Sequence, residues 1–243
     1  MTLHWRTYFD AVVIGLAVSL TPALHAGKVD GQVALLDSHQ VTSRHKDASG
    51  VVVWLWPLGP DPDPRPPQHV RMIQKGKRFE PHILAIDVGT RVDFPNFDPI
   101  FHNAFSNFNG QLFDIGLYAP GSSKSILFKR EGIVRVFCNI HPTMSAAIVV
   151  LNSPYFGTTD KKGRYTIASV PRGEYELRVF DERATPETLS SLRRPVTVSG
   201  SEIQIPVLKI SEAGYVATPH KNKYGRDYPP DAGDDSGYSH PTR

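Results

Sequence analysis

The chain has 243 residues, 40% of them hydrophobic and 21% charged, which is too polar for a bundle of membrane spans. A formal net charge of +3 without a basic stripe argues against nucleic acid as a partner. Its 21 prolines and 19 glycines point to many turns and short strands rather than long helices.

At the start, Arg6 precedes the apolar run 11–20 (AVVIGLAVSL), which is too short to cross a bilayer comfortably. The small residue Ala26 suits cleavage before Gly27, so residues 1–26 read as a signal peptide and the protein as periplasmic or otherwise exported. A retained membrane anchor is the competing reading, because Asp10 and Leu24 depart from the usual signal pattern. After cleavage no stable membrane insertion is expected.

Two β-like runs follow, Val29 to Leu36 and Val51 to Trp56, the second apolar throughout. Residues 59–68, which include GPDPDPRPP, read as a connector, since each proline fixes φ and lacks an amide donor. From Arg71 to Asn152 strand follows strand, with runs at 82–87, 125–128, 133–137 and 146–151. Val92 and Phe94 alternate with Arg91 and Asp93, and Val134, Val136 and Cys138 share one strand face, which points the thiol toward a core. No long 3.6-residue period interrupts this, so the segment reads as a β-sandwich or Greek-key barrel. A second set opens at Phe156, with a turn at 158–163 (TTDKKG) and strands at 164–170, 175–180, 195–198 and 203–208. Residues 185–192 read as one helical turn or a long loop. Residues 211–243, polar and rich in Gly, Pro, Asp and Tyr, read as a flexible tail.

Cys138 is the only cysteine, so it cannot serve an internal disulfide. A buried, inert thiol is the plain alternative, but its neighbours argue for a ligand. Cys138-Asn139-Ile140-His141-Pro142-Thr143-Met144 places a thiolate, an imidazole and a thioether in one tight loop at a strand end. Soft sulfur with imidazole selects copper, and a trigonal His₂Cys set with a weak axial Met is the electron-transfer type of site. His102 is the candidate for the second imidazole. Structural zinc wants four closed ligands and usually more than one thiolate, which this set does not offer. The expectation is therefore one mononuclear copper held by His102, Cys138, His141 and Met144. Four protein ligands leave no position for substrate, so no enzyme is expected. His39, His45, His69, His82, His220 and His240 show no partnering spacing, and Phe97, Phe101, Phe105 and Phe108 are candidates for an apolar docking rim or for aromatic core.

The Cys-x₂-His-x₂-Met loop, with Pro142 after the histidine, resembles the ligand loop of amicyanin, a cupredoxin. Asn96, six residues before His102, and Asn103 after it fit the same resemblance, which covers about Arg71 to Asn152. Similar loops occur in plastocyanin-like and methylamine-utilisation proteins. The resemblance implies a Greek-key sandwich with His102, Cys138 and His141 in plane, Met144 axial, and Asn96 steadying the ligand loops. Asn139-Ile140 and Thr143-Met144-Ser145 differ from the amicyanin residues, so a methylamine-linked partner does not follow. Residues 157–208 resemble the carboxypeptidase-regulatory or transthyretin-like fold, through Thr159-Asp160-Lys161-Lys162-Gly163-Arg164-Tyr165 and Val170-Pro171-Arg172-Gly173-Glu174-Tyr175-Glu176-Leu177. Such domains begin with two further strands, which 31–36 and 51–56 match. The expected fold class is all-β, with a cupredoxin Greek-key sandwich (69–152) inserted into a second, prealbumin-like sandwich (27–58 plus 153–210). The expected function is a blue-copper carrier of single electrons between transient redox protein partners. A copper-handling protein without redox cycling, or a β-sandwich scaffold with an incidental metal site, are the alternatives.

Overall fold

A computed structural model describes residues 26–36, 47–60, 66, 68–107, 110–215 and 220–229. The apolar run of the expected signal peptide, most of the expected proline connector, His39, His45, Phe108 and His240 lie outside the described residues. Among the described residues, no helix is long and apolar enough to cross a membrane.

The chain opens with β1 (Gly27–Leu36) and β2 (Val52–Pro57). A middle series follows: β3 (His69–Arg71), β4 (Ile73–Gln74), β5 (Phe79–Glu80), β6 (Ile83–Asp87), β7 (Arg91–Pro95), β8 (His102–Ser106), β9 (Phe113–Tyr118), β10 (Ser123–Leu127), β11 (Gly132–Phe137) and β12 (Ser145–Leu151). Then come β13 (Phe156–Thr158), β14 (Arg164–Val170), β15 (Gly173–Phe180), the short helix α1 (Pro186–Ser191), β16 (Arg194–Val198), β17 (Glu202–Gln204) and β18 (Leu208–Ser211).

The middle series forms a five-stranded sheet in the order β6-β12-β11-β8-β9 and a three-stranded sheet in the order β10-β7-β3, with β4 and β5 as a separate hairpin. Period-two alternation turns Val92 and Phe94 of β7 toward Val134, Val136, Ile148 and Val150 of the larger sheet, which makes one core. The flanking strands form two other sheets, β13-β2-β15-β16 and β14-β1-β17, with β18 also paired to β1. Tyr165 and Ile167 of β14 face Val53 and Leu55 of β2 and Leu177 of β15 across a second core. Strands from before the middle series therefore pair with strands from after it, β1 with β14 and β2 with β13 and β15.

One strand is buried on both of its faces. Ala146, Ile148 and Val150 of β12 belong to the first core, while Ala147, Val149 and Leu151 pack with Val52 and Phe180 in a third apolar cluster between the sandwiches. Burial on both faces explains why this strand reads SAAIVVL instead of alternating. A polar latch crosses the same boundary. His82 places Nε2 2.6 Å from the Glu182 carboxylate and Nδ1 3.0 Å from the Ser145 carbonyl, and Arg135 reaches the other Glu182 oxygen at 3.4 Å. His82, which shows no partnering spacing in the sequence, is thus an ion-pair partner at the edge of this boundary.

Several details differ from the expected elements. The strand expected over 203–208 is divided into β17 and β18. Pro206 lacks an amide donor, and the two pieces pair separately with Lys28–Asp30 and Val33–Leu36. β8, buried at every position although it begins with His102 and Asn103, has no alternating signal to reveal it. Residues 220–229, within the expected flexible tail, make hydrogen bonds to Cys138 and Asn139, just after β11.

Candidate metal centre

The antiparallel ladder of β11 and β12 runs from Gly132↔Val150 to Phe137↔Ser145. Cys138 and Met144 occupy its next step, and the Cys138 amide donates to the Met144 carbonyl at 3.1 Å. Directly opposed residues share a face, so both sulfurs continue the core face of Val136 and Ala146. Between them the loop turns back through His141, whose carbonyl accepts the Met144 amide at 3.1 Å. β8 lies antiparallel to β11 through Phe105↔Phe137, which brings its first residue, His102, beside the loop.

His102 Nδ1 and His141 Nδ1 lie 3.9 and 3.5 Å from Cys138 Sγ. The two rings sit edge to face with centroids 4.8 Å apart. Metal–nitrogen bonds of about 2.0 Å and metal–sulfur bonds of about 2.3 Å at a trigonal angle separate N from S by about 3.7 Å. The observed spacings bracket that value, so the pocket fits one ion. Among the described residues, these three form the one cluster of His, Cys, Asp or Glu able to hold a metal. His102, Cys138 and Met144 are fully buried, and His141 is 4% exposed, which makes it the ligand nearest solvent.

Electrostatics around the site favour ligation. His102 Nε2 lies 2.8 Å from Asp98 Oδ2, and both groups are buried. Burial alone would raise the Asp98 carboxyl, but the amides of Lys77 and Gly76 and the His102 ring outweigh it and hold Asp98 below its ordinary value. An ionised carboxylate only accepts, so His102 donates from Nε2 and keeps a bare lone pair on Nδ1. Those amides, at 2.6 and 2.9 Å from the carboxylate, belong to the Gly76–Lys77 turn of the β4–β5 hairpin. Both turn residues have positive φ, at 59° and 55°, as a type I′ hairpin turn requires. Burial pushes the Cys138 thiol up, against the Ile140, Asn103 and His141 amides that favour the thiolate. A bound cation would release that proton.

Asn96, expected to steady the ligand loops, is buried and makes its side-chain bonds within the segment leading to His102. Its Nδ2 donates to the Ile100 carbonyl at 2.8 Å, and its Oδ1 accepts the Asp98 amide at 3.0 Å. The link to the cysteine loop comes from Asn103, whose Oδ1 accepts the Asn139 amide at 3.3 Å. Of the aromatic candidates, Phe105 is core, while Phe97 and Phe101 are 59% and 40% exposed on the loop before His102. Asp98 escaped the sequence reading. An aspartate four residues before a histidine is the one available signal, and it is weak.

No protein-family profile matches the sequence, and neither does any curated protein. Solved structures do resemble part of it. A copper-containing nitrite reductase from Thermus scotoductus SA-01 is 28% identical over 39% of this chain, with a TM-score of 0.34, and the chain covers 25% of that protein's length. A purple cupredoxin from Nitrosopumilus maritimus is 26% identical over 35% of this chain and 99% of its own, with a TM-score of 0.31. An oxidised amicyanin mutant is 19% identical over 34% of this chain and 81% of its own, with a TM-score of 0.32. On its own geometry, the fold is all-β. Its middle series is a cupredoxin-like sandwich with a His-Cys-His-Met cluster at one end.

Proposed function

We propose that the protein is an exported mononuclear copper protein that carries single electrons between transient protein partners. One observation bears most of the weight: two imidazole Nδ1 atoms and one cysteine sulfur lie within 4.8 Å of one another in a buried pocket. Copper, when bound, would supply the one-electron couple. His102, Cys138 and His141 would hold it, with the Met144 thioether as the fourth donor. Asp98 fixes the His102 tautomer, and burial keeps water from the ion. Three donors sit on or beside paired strands, so either oxidation state meets nearly the same ligand positions. His141 would be the exit for the electron. The exposed rings of Phe97 and Phe101 would offer a small docking surface of the kind suited to brief redox encounters.

The same reading makes the middle series a cupredoxin domain inserted into a prealbumin-like sandwich, and gives the protein no enzymatic role. Support for the insertion comes from β1 and β2, which among the described residues pair only across the middle series with later strands. The test is to add Cu(II) to the full chain and record the visible spectrum. An intense thiolate-to-copper band, bleached reversibly by reductant and absent from Cys138→Ala, is the expected result. Tight Cu(I) binding without that band would point instead to copper handling, and no uptake would leave the protein a scaffold.

A further inference from the structure

Residues 220–229 lie against the end of β11 and the ligand loop. The His220 ring stacks on Phe137 with centroids 4.1 Å apart and 23° between planes. Tyr228 donates its hydroxyl proton to the Cys138 carbonyl at 2.7 Å. That bond uses the phenol's one proton, so in the 3.2 Å contact with His220 Nδ1 the imidazole is the donor. Lys223 makes two further contacts: its amide donates to Asn139 Oδ1 at 3.0 Å, and its ammonium to Asp114 Oδ2 at 2.8 Å. Asp114 Oδ1 accepts from Asn103 Nδ2 at 2.8 Å, and Asn103 Oδ1 accepts the Asn139 amide. A closed ring of hydrogen bonds results, through Asn139, Asn103, Asp114 and Lys223. Asn103 follows His102 and Asn139 follows Cys138, so the ring joins the neighbours of two ligands. The segment keeps its own shape through a turn in which the Asn222 carbonyl accepts the Gly225 amide and the Asn222 amide donates to Arg226.

We propose that residues 220–229 are a strap that holds the cysteine loop in its ligating geometry, with Tyr228 and Lys223 as positioning residues. This rests on the copper reading above. A hydrogen bond on the Cys138 carbonyl restrains the peptide that follows the sulfur-bearing residue. The ring of side chains fixes that peptide's other end against β8. Outer hydrogen bonds of this kind typically govern metal affinity by about 10- to 100-fold.

Copper loading of the full chain, followed by chelator competition, the visible band and electron paramagnetic resonance, tests it. Tyr228→Phe, which removes one oxygen, is expected to weaken copper binding about tenfold and to shift both spectra. A chain ending at residue 215 should lose about as much or more. Asp227→Asn, altering an exposed carboxylate on the same segment, should change neither affinity nor spectra. Unchanged affinity and spectra in Tyr228→Phe and in the shortened chain would overturn the strap and leave the copper reading standing. A wild-type protein without the thiolate band would overturn that reading, and the strap with it.

Discussion

Asp98 shows how much a site depends on residues that never touch the ion. Its carboxylate gathers two backbone amides and the His102 ring, and so dictates which imidazole nitrogen is bare. In Asp98→Asn an oxygen kept at the Gly76 amide puts an NH₂ group at the position that now accepts from both the Lys77 amide and His102. That favours the tautomer with a proton on Nδ1, where the ion should sit. Copper affinity is expected to fall about 10- to 100-fold, read by chelator competition, with little change in the unfolding midpoint. An unchanged affinity would reduce Asp98 to a tie for the β4–β5 hairpin. Cys138, His141 and Met144 were legible in the sequence because all three fall in one short loop. Asp98 and Tyr228 were not. An acid in a loop usually faces water, and Tyr228 meets Cys138 from 90 residues further along the chain.

Hairpins do most of the positioning one level up. The β11–β12 register sets Cys138 opposite Met144 without any special residue, while period-two alternation in the sequence placed only Cys138 on the face of Val134 and Val136. β8 resisted the same reasoning because it is buried on both sides and starts with polar residues, so neither alternation nor hydrophobicity marks it. In the other sandwich, Gly163 ends the turn between β13 and β14 with φ of +74°, and a Cβ there would come within 2.2 Å of the Val33 carbonyl oxygen. Gly163→Ala must therefore move backbone, and is expected to destabilise that sandwich by about 1–3 kcal/mol. Trp54 and Trp56 of β2 place fluorescent reporters in the facing sheet of the same sandwich, so a lower urea midpoint by fluorescence is the check. No change would mean that the turn opens at little cost.

Across the whole molecule, the His82–Glu182 latch makes stability depend on pH. The bond to Glu182, working against burial, raises His82 above its ordinary 6.5, so its contribution is complete below 6.5 and is lost as pH rises through the folded value. Burial would raise Glu182, but His82, Arg135 and Arg183 outweigh it and hold it below 4.5; its contribution is present above 4.5 and is lost as pH falls through the lower folded value. The latch therefore works best between about 4.5 and 6.5. Because the His82 side chain is 48% exposed, the loss on going to pH 8 should stay below about 1 kcal/mol. Melting temperatures across that range should show a decline that Glu182→Gln abolishes, and an equal decline in the variant would assign it elsewhere. The shared strand β12 carries a different consequence. A fragment cut out as residues 69–152 would leave Ala147, Val149 and Leu151 without Val52, Trp54 and Phe180 to cover them. Such a fragment should clump or pair with copies of itself, however well its copper pocket is built, since one wall of the unit is finished only by its neighbour.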